Sequence, residues 1–240
     1  GHSCNMDLFT NLSNGENIPL IEDASQAHGA TWRGKKVGTF GITGCFSLYP
    51  TKNLGALGDA GVITTNNLEI FKRLHKIRQY GWGEKPISER IGVNSRIDSI
   101  QAAILRIKLK YLNAHNLRRK EIAEIYIKGL KEKTTLSLPP REDDLCSPVY
   151  HQFVIKLKKD NREKIMEAMS NSNIGTAIHY PCAVHQMPAY LNKTWVAKDP
   201  NGLAATNRLT QEILSLPMGI HISNQDSSLV INKLLSFLNL

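Results

Sequence analysis

Apolar positions along this chain come in short runs closed by glycine or by charge. "IPLI" (Ile18–Ile21) ends in Glu22-Asp23, and "GCFSLY" and "GVITT" are each opened by a glycine; all three read as strands. The rhythm then changes. Leu68, Phe71, Leu74 and Ile77 recur at helical spacing, with Gly81 as the stop signal. Ser95, three residues before Asp98, predicts a capping box. The helix it opens carries Ile97, Ile100, Ile104, Ile107 and Tyr111 on one face. A second helical run follows over about Asn116–Leu130. The polar, proline-bearing "TTLSLPPREDDLCSP" reads as a loop between units. Beyond it "VYHQFVIKL" alternates like a strand, "NREKIMEAMSNSN" reads as a helix, and "GTAIHYP" as a strand ending in proline. Helices near Leu203–Leu214 and Ser227–Leu238 close the chain. Strands alternating with helices predict an α/β domain followed by a smaller α/β unit, with no internal repeat.

Composition narrows the class. A chain of 240 residues, 41% hydrophobic and 21% charged, has enough material for a sizeable core and reads as a globular protein. No apolar run approaches a membrane span, and the opening "GHSCNMDLFT" lacks a signal pattern. Cys4, Cys45, Cys146 and Cys182 lie far apart, with neither metal-ligand spacing nor a disulfide framework, which fits a cytoplasmic enzyme without a metal site. The net charge of +9 is concentrated: residues 61–135 hold sixteen Lys/Arg against seven Asp/Glu. Much of that excess sits on apparent helices such as "RIKLKYLNAHNLRRKEIAEIY". It reads either as a solvated helix face or as attraction for an anionic ligand. Nucleic acid is disfavoured, because no finger spacing, RNP-like motif or aromatic interleaving accompanies the basic residues.

Two glycine motifs fail on inspection. "GATWRGKK" approaches a P-loop but ends in Lys36, so it offers no hydroxyl to magnesium. "GALGDAG" has the wrong spacing for a dinucleotide turn and reads as a tight turn needing positive φ. "FSLYPTKN" and "IEDASQAHGA" remain. Lys52 is either an ordinary surface residue after a strand or an amine placed for chemistry, since burying its charge unpaired is costly. Asp23, at the carboxyl end of a strand, is either a cap or a ligand-facing carboxylate. A lysine amine, a carboxylate and the Ser47 hydroxyl are together the parts that pyridoxal phosphate needs: a Schiff-base partner, a partner for the pyridine nitrogen, and a phosphate contact.

On these residues the sequence resembles the DegT/DnrJ/StrS family of PLP-dependent nucleotide-sugar aminotransferases. The matching segments are "IEDASQAHGATWRGKKVGTFG", "CFSLYPTKNLGALGDAGVITTN", "IGVNSRIDSIQAAILRIKLKYL" and "AIHYPCAVHQMPAY", in the family's order. The resemblance implies an aspartate-aminotransferase-like, fold type I architecture: an incomplete large domain over 1–114 and a small C-terminal domain over 115–240. It implies that Lys52 binds the cofactor covalently and moves protons, and that Asp23 pairs with the ring nitrogen. Gln26 is placed near the ring hydroxyl and Ser47 at the phosphate, with Asn94 reaching that phosphate from the neighbouring subunit of a homodimer. Arg96 is a candidate for a substrate carboxylate or phosphate, or for a structural ion pair. His179 and Tyr180 border the substrate.

The implied reaction moves an amino group, from glutamate, to a keto carbon of a nucleotide-linked deoxy sugar, with a lean to 3-keto sugars of the lipopolysaccharide or antibiotic kind. Sugar dehydration is disfavoured, since a histidine stands at the lysine position in that branch. Family members begin well upstream of Gly1, with a phosphate-holding turn and a ring-packing aromatic. The chain is therefore expected to be the C-terminal part of such an enzyme, and a catalytically incompetent fragment or pseudoenzyme is the alternative.

Overall fold

The computed structural model describes residues 1–133, 135–157, 161–191, 193 and 202–238. The chain folds as two compact units. The first takes Gly1–Arg118 together with Arg141–His151, and the second takes Arg119–Pro140 with Gln152–Leu240. A linear division at residue 114 places 141–151 in the second domain, whereas the chain returns there to the first unit.

In the first unit, helix α1 (Met6–Gly15) is capped by Asn5, whose side chain accepts from Leu8 N. Strand β1 (Ile21–Asp23) pairs in parallel with β4 (Thr43–Ser47), and β4 pairs antiparallel with β5 (Gly61–Thr64), giving the order β1-β4-β5. The ladder starts at Ile21 rather than at Ile18; Pro19 has no N–H to donate. Two-residue strands β2 (Thr31–Trp32) and β3 (Lys35–Lys36) form a hairpin. Its turn residues Arg33 and Gly34 both have positive φ, the requirement of a type I′ connection. The near-P-loop is thus a hairpin, with Lys36 Nζ donating to Gly29 O at 2.9 Å. β7 (Cys146–Ser147) pairs with the other edge of β2.

Helix α2 (Leu68–Ile77) forms where the spacing predicts it, yet buries no residue. Helix α3 (Ser99–Leu109) starts later than expected. Its N-cap is Asp98, without a side-chain cap bond, so the Ser95 capping box does not form. The predicted apolar face is also corrected: Ile100, Ile107 and Tyr111 are exposed, and Leu105 is the buried position, packed with Leu48 and Ala56. In "GALGDAG" no glycine has positive φ among the described residues. Gly55 is instead required by close approach, because a Cβ there would sit 2.4 Å from Pro50 O.

Helix α4 (Leu112–Leu130) runs out of the first unit into the second. There, β6 (Leu136–Ser137), β8 (Phe153–Leu157) and β9 (Ile213–Leu216) form an antiparallel sheet in the order β6-β8-β9. Helices α5 (Arg162–Asn171), α6 (Ala204–Glu212) and α7 (Asn224–Phe237) complete the unit. Alternation along β8 buries Phe153, Ile155 and Leu157. Ile122 and Tyr126 of α4, Ile165 and Met169 of α5, Leu214 of β9 and Leu234 of α7 are buried as well. Tyr126 packs on Phe153 with ring centroids 5.0 Å apart and donates from its hydroxyl to Pro217 O at 2.8 Å. Burial pushes its phenol up to about 12. "GTAIHYP" is not a strand: Ala177 alone bridges Ser215, and Pro181 offers no further donor. The last stretch of the expected Leu203–Leu214 helix is β9.

Candidate cofactor site

The parallel pairing of β1 and β4 decides which side chains share a face. Glu22 lies opposite Gly44 and Asp23 opposite Cys45. Paired residues point the same way and successive ones alternate. Asp23, Cys45 and Ser47 therefore share one face of the sheet, and Glu22, Gly44 and Phe46 the other.

Each carboxylate of the Glu22-Asp23 pair has its own partners. Glu22 is buried and accepts three backbone N–H groups, from Gly38 (2.6 Å), Phe40 (2.6 Å) and Gly41 (2.7 Å). It pins the 38–41 loop onto one side of β1. Asp23 is exposed, at the carboxyl end of the parallel pair, where ligands bind in α/β sheets. Its Oδ1 accepts from Ser25 N at 3.0 Å, closing an Asx turn rather than capping a helix. The hydroxyl and backbone of Ser25 hold the Asp23 carboxyl below the usual carboxylate range, and the Lys52 ammonium adds to that effect. Gln26 is half-buried in the same turn.

Ser47 ends β4, and its Oγ accepts from Tyr49 N at 3.3 Å. Lys52 follows in an irregular segment. It is half-buried, with its backbone N–H donated to Tyr49 O at 2.9 Å. Its charge is felt by Asp23 and also by His28, a buried imidazole that packs on Phe46 at 5.4 Å. Burial pushes His28 down to about 4; the Ser47 backbone opposes the fall and the Lys52 and Gly1 ammonium groups reinforce it. Neither ring nitrogen of His28 is in hydrogen-bond geometry with a partner. The imidazole is thus neutral at physiological pH.

Sequence reasoning passed over the polar groups that hold this region. Asn53, Asn116, His151 and the His28 backbone are joined by hydrogen bonds through the interior of the first unit. Only the adjacency of Asn53 to Lys52 could have marked any of them.

Asn94 and Arg96 form a separate group. Both are exposed; Arg96 Nε donates to Asn94 Oδ1 at 3.0 Å, and the guanidinium lies 5.4 Å from the Tyr80 ring centroid. Asn94 also bridges Gln79. Their described contacts are with each other and with this loop, not with Asp23 or Lys52. His179 and Tyr180 belong to the second unit. Nδ1 of His179 lies 2.9 Å from the Ser215 Oγ, and the two rings meet edge to face at 5.7 Å. The described residues contain no group of three or more metal-ligating side chains able to hold an ion, and no described helix is long and apolar enough to cross a membrane.

The chain belongs to the DegT/DnrJ/EryC1/StrS aminotransferase family, whose model matches residues 1–235. It is 36% identical over 232 residues to the dTDP-3-amino-3,4,6-trideoxy-alpha-D-glucose transaminase of Streptomyces venezuelae, covering 97% of this chain and 60% of that protein. To the dTDP-3-amino-3,6-dideoxy-alpha-D-galactopyranose transaminase of Aneurinibacillus thermoaerophilus it is 41% identical over 231 residues, covering 96% of this chain and 61% of that one. The crystal structure of S. venezuelae DesV superposes with a TM-score of 0.93 at 35% identity, over 100% of this chain and 63% of that chain. The chain thus spans about three fifths of the length of the relatives it matches.

Proposed function

We propose that this chain carries the cofactor lysine and its partners in a pyridoxal-phosphate-dependent aminotransferase that moves an amino group from glutamate to a keto carbon of a nucleotide-linked deoxy sugar. One observation carries the reading. The Lys52 amine lies within electrostatic reach of Asp23 at the carboxyl end of β1, and Ser47 shares that face of the sheet. An amine, a carboxylate and a hydroxyl so placed fit the donor set of the cofactor. When bound, pyridoxal phosphate supplies an electron-withdrawing ring conjugated to the amine-bearing carbon.

Lys52 would be the covalent attachment point and, once released, the amine that accepts and returns the proton. Asp23, already biased toward its anionic form, keeps the ring nitrogen protonated. Gln26 would lie toward the ring hydroxyl, and Ser47 would offer its hydroxyl to the phosphate. Asn94 completes the phosphate contact from the second subunit of a homodimer. The exposed apolar residues of its loop, among them Ile91 at 96% exposure, support an interface there. Arg96, His179 and Tyr180 face the substrate. The names of the two relatives, both transaminases of dTDP-3-amino sugars, favour a 3-keto sugar. Four cysteines without a disulfide between them fit a cytoplasmic enzyme.

The test combines capture with turnover. Pyridoxal phosphate and borohydride should fix the cofactor on the peptide containing Lys52, and glutamate should drive amination of a dTDP-linked 3-keto-6-deoxy sugar. A label on Lys35, Lys36 or Lys72 in place of Lys52 overturns the assignment.

A further inference from the structure

We infer that Asn53 is a positioning residue for Lys52, holding the lysine backbone in register through a buried amide relay. The inference rests on the reading of Lys52 as the reactive amine.

Lys52 lies between Ser47, where β4 ends, and Gly61, where β5 begins, so no strand ladder or helix fixes its Cα. Its neighbour Asn53 turns inward and is buried. Asn53 Nδ2 donates twice, to Asn116 Oδ1 at 2.9 Å and to Val149 O at 3.0 Å. Both amide hydrogens are therefore used, and the orientation of the group is fixed by its acceptors. Asn53 Oδ1 faces Nδ1 of His151 at 3.2 Å. An amide oxygen only accepts, so the His151 proton sits on Nδ1. Asn116 passes the connection on, its Nδ2 donating to His28 O at 2.8 Å. Asn53, Asn116, His151 and His28 are each 8% exposed or less.

The relay ties the residue beside Lys52 to three places in the first unit: the turn after β1, the first turns of α4, and the 149–151 segment. The turn after β1 is the one that opens with Asp23, so the relay connects the backbones of lysine and carboxylate without touching either side chain. Lysine reaches its target through four rotatable bonds. The amine is delivered correctly only if the Cα is held, and a displacement of about 1 Å is enough to cost a reacting group its alignment. A structural staple alone would not single out Lys52 among the lysines. A positioning residue does, and that difference can be measured.

The experiment uses the whole 240-residue chain without cofactor. Lysines are acetylated competitively across pH, and the Lys52 rate is read by mass spectrometry against exposed Lys72 and Lys110. Amide exchange is followed over residues 50–56. Asn53→Ala removes three side-chain bonds and should change the Lys52 rate relative to the other lysines by at least about five- to tenfold, the equilibrium worth of one net hydrogen bond, and speed exchange in the segment. Asn116→Leu removes the acceptor facing Asn53 and should reproduce Asn53→Ala. A folded Asn53→Ala with an unchanged Lys52 ratio overturns the proposal. If that variant does not fold, a folded Asn116→Leu with the Lys52 ratio of the parent overturns it. Borohydride capture of pyridoxal phosphate, run separately on the parent chain, distinguishes the premise: a label on another lysine removes the catalytic reading of Lys52 but leaves the positioning result standing.

Discussion

His28 should make the first unit acid-sensitive in a window where ordinary carboxylates contribute little. Its imidazole is buried against Phe46, with the Lys52 ammonium near by, and burial lowers it from 6.5 to about 4. The folded state therefore favours the neutral ring, while the unfolded chain protonates at the ordinary value. Between these two values the unfolded chain binds more protons, so stability is fully present above about pH 6.5 and is lost as pH falls toward 4. Over the whole window a difference of this size corresponds to about 3 kcal/mol, and between pH 7 and pH 5 to about 2 kcal/mol.

The perturbation is His28→Leu, which removes the titration and the buried ring nitrogens together. Its effect at neutral pH is a balance of lost packing and relieved desolvation, so the decisive quantity is the change with pH. Urea unfolding at pH 7 and pH 5, followed by fluorescence that includes buried Trp32, gives four free energies. The parent should lose about 2 kcal/mol more than His28→Leu across that interval. Equal losses in the two proteins would refute the reasoning, because no other residue differs between them.

Asp23→Asn should leave folding intact and cut glutamate-dependent amination on the order of a hundredfold or more, since an amide cannot balance the ring-nitrogen charge; near-normal turnover with cofactor bound would reassign Asp23 to its Asx turn. Glu22→Gln should destabilise the first unit by about 2–3 kcal/mol, because charge-assisted bonds to Gly38, Phe40 and Gly41 are weakened and one acceptor position is lost; an unchanged urea midpoint would count against it. Phe153→Ala should cost about 3–5 kcal/mol in the second unit, as expected for a fully buried ring packed on Tyr126. Sedimentation velocity should find the chain self-associated, given exposed Ile91, Ile100 and Leu57; a monomer at about micromolar to millimolar concentration would argue against the interface.

The elements legible in the sequence were those in which spacing and punctuation agreed. Leu68–Ile77 forms as its period demands, and Asn67 caps it. What periodicity could not supply was the identity of the covering surface. Ile100 and Ile107 keep helical spacing but lie in the open, while Leu105, off that face, meets Leu48. A stripe states which positions gain by being covered, not what covers them. The "SRID" box did not form because the helix begins at Ser99, which puts Asp98 itself at the N-cap position without a side-chain cap bond. Among the candidate site residues, Lys52 and Asp23 stand out in the sequence because an amine and a carboxylate follow strand ends. The Asn53 relay was not. Asparagine has no periodic signature, and its partners stand 63 and 98 residues away in the chain.

The dipeptide Glu22-Asp23 shows why composition alone is a poor guide to role. Two adjacent carboxylates, one methylene apart in length, are set apart by the side of the strand they occupy. The inward one is buried, meets three N–H donors and is engaged in holding a loop. Its neighbour, turned to the face of Ser47, is satisfied by a local turn and keeps its charge near Lys52. A shift of β1 by one residue against β4 would exchange these positions, placing Glu22 on the Ser47 face and Asp23 against the 38–41 loop, where its shorter side chain falls short of the same three donors. The register of one three-residue strand therefore sets both the stability of the loop and the placement of the carboxylate. The bonds from Glu22 to Gly38, Phe40 and Gly41 penalise that slip directly, so the buried carboxylate keeps its neighbour Asp23 on the Ser47 face.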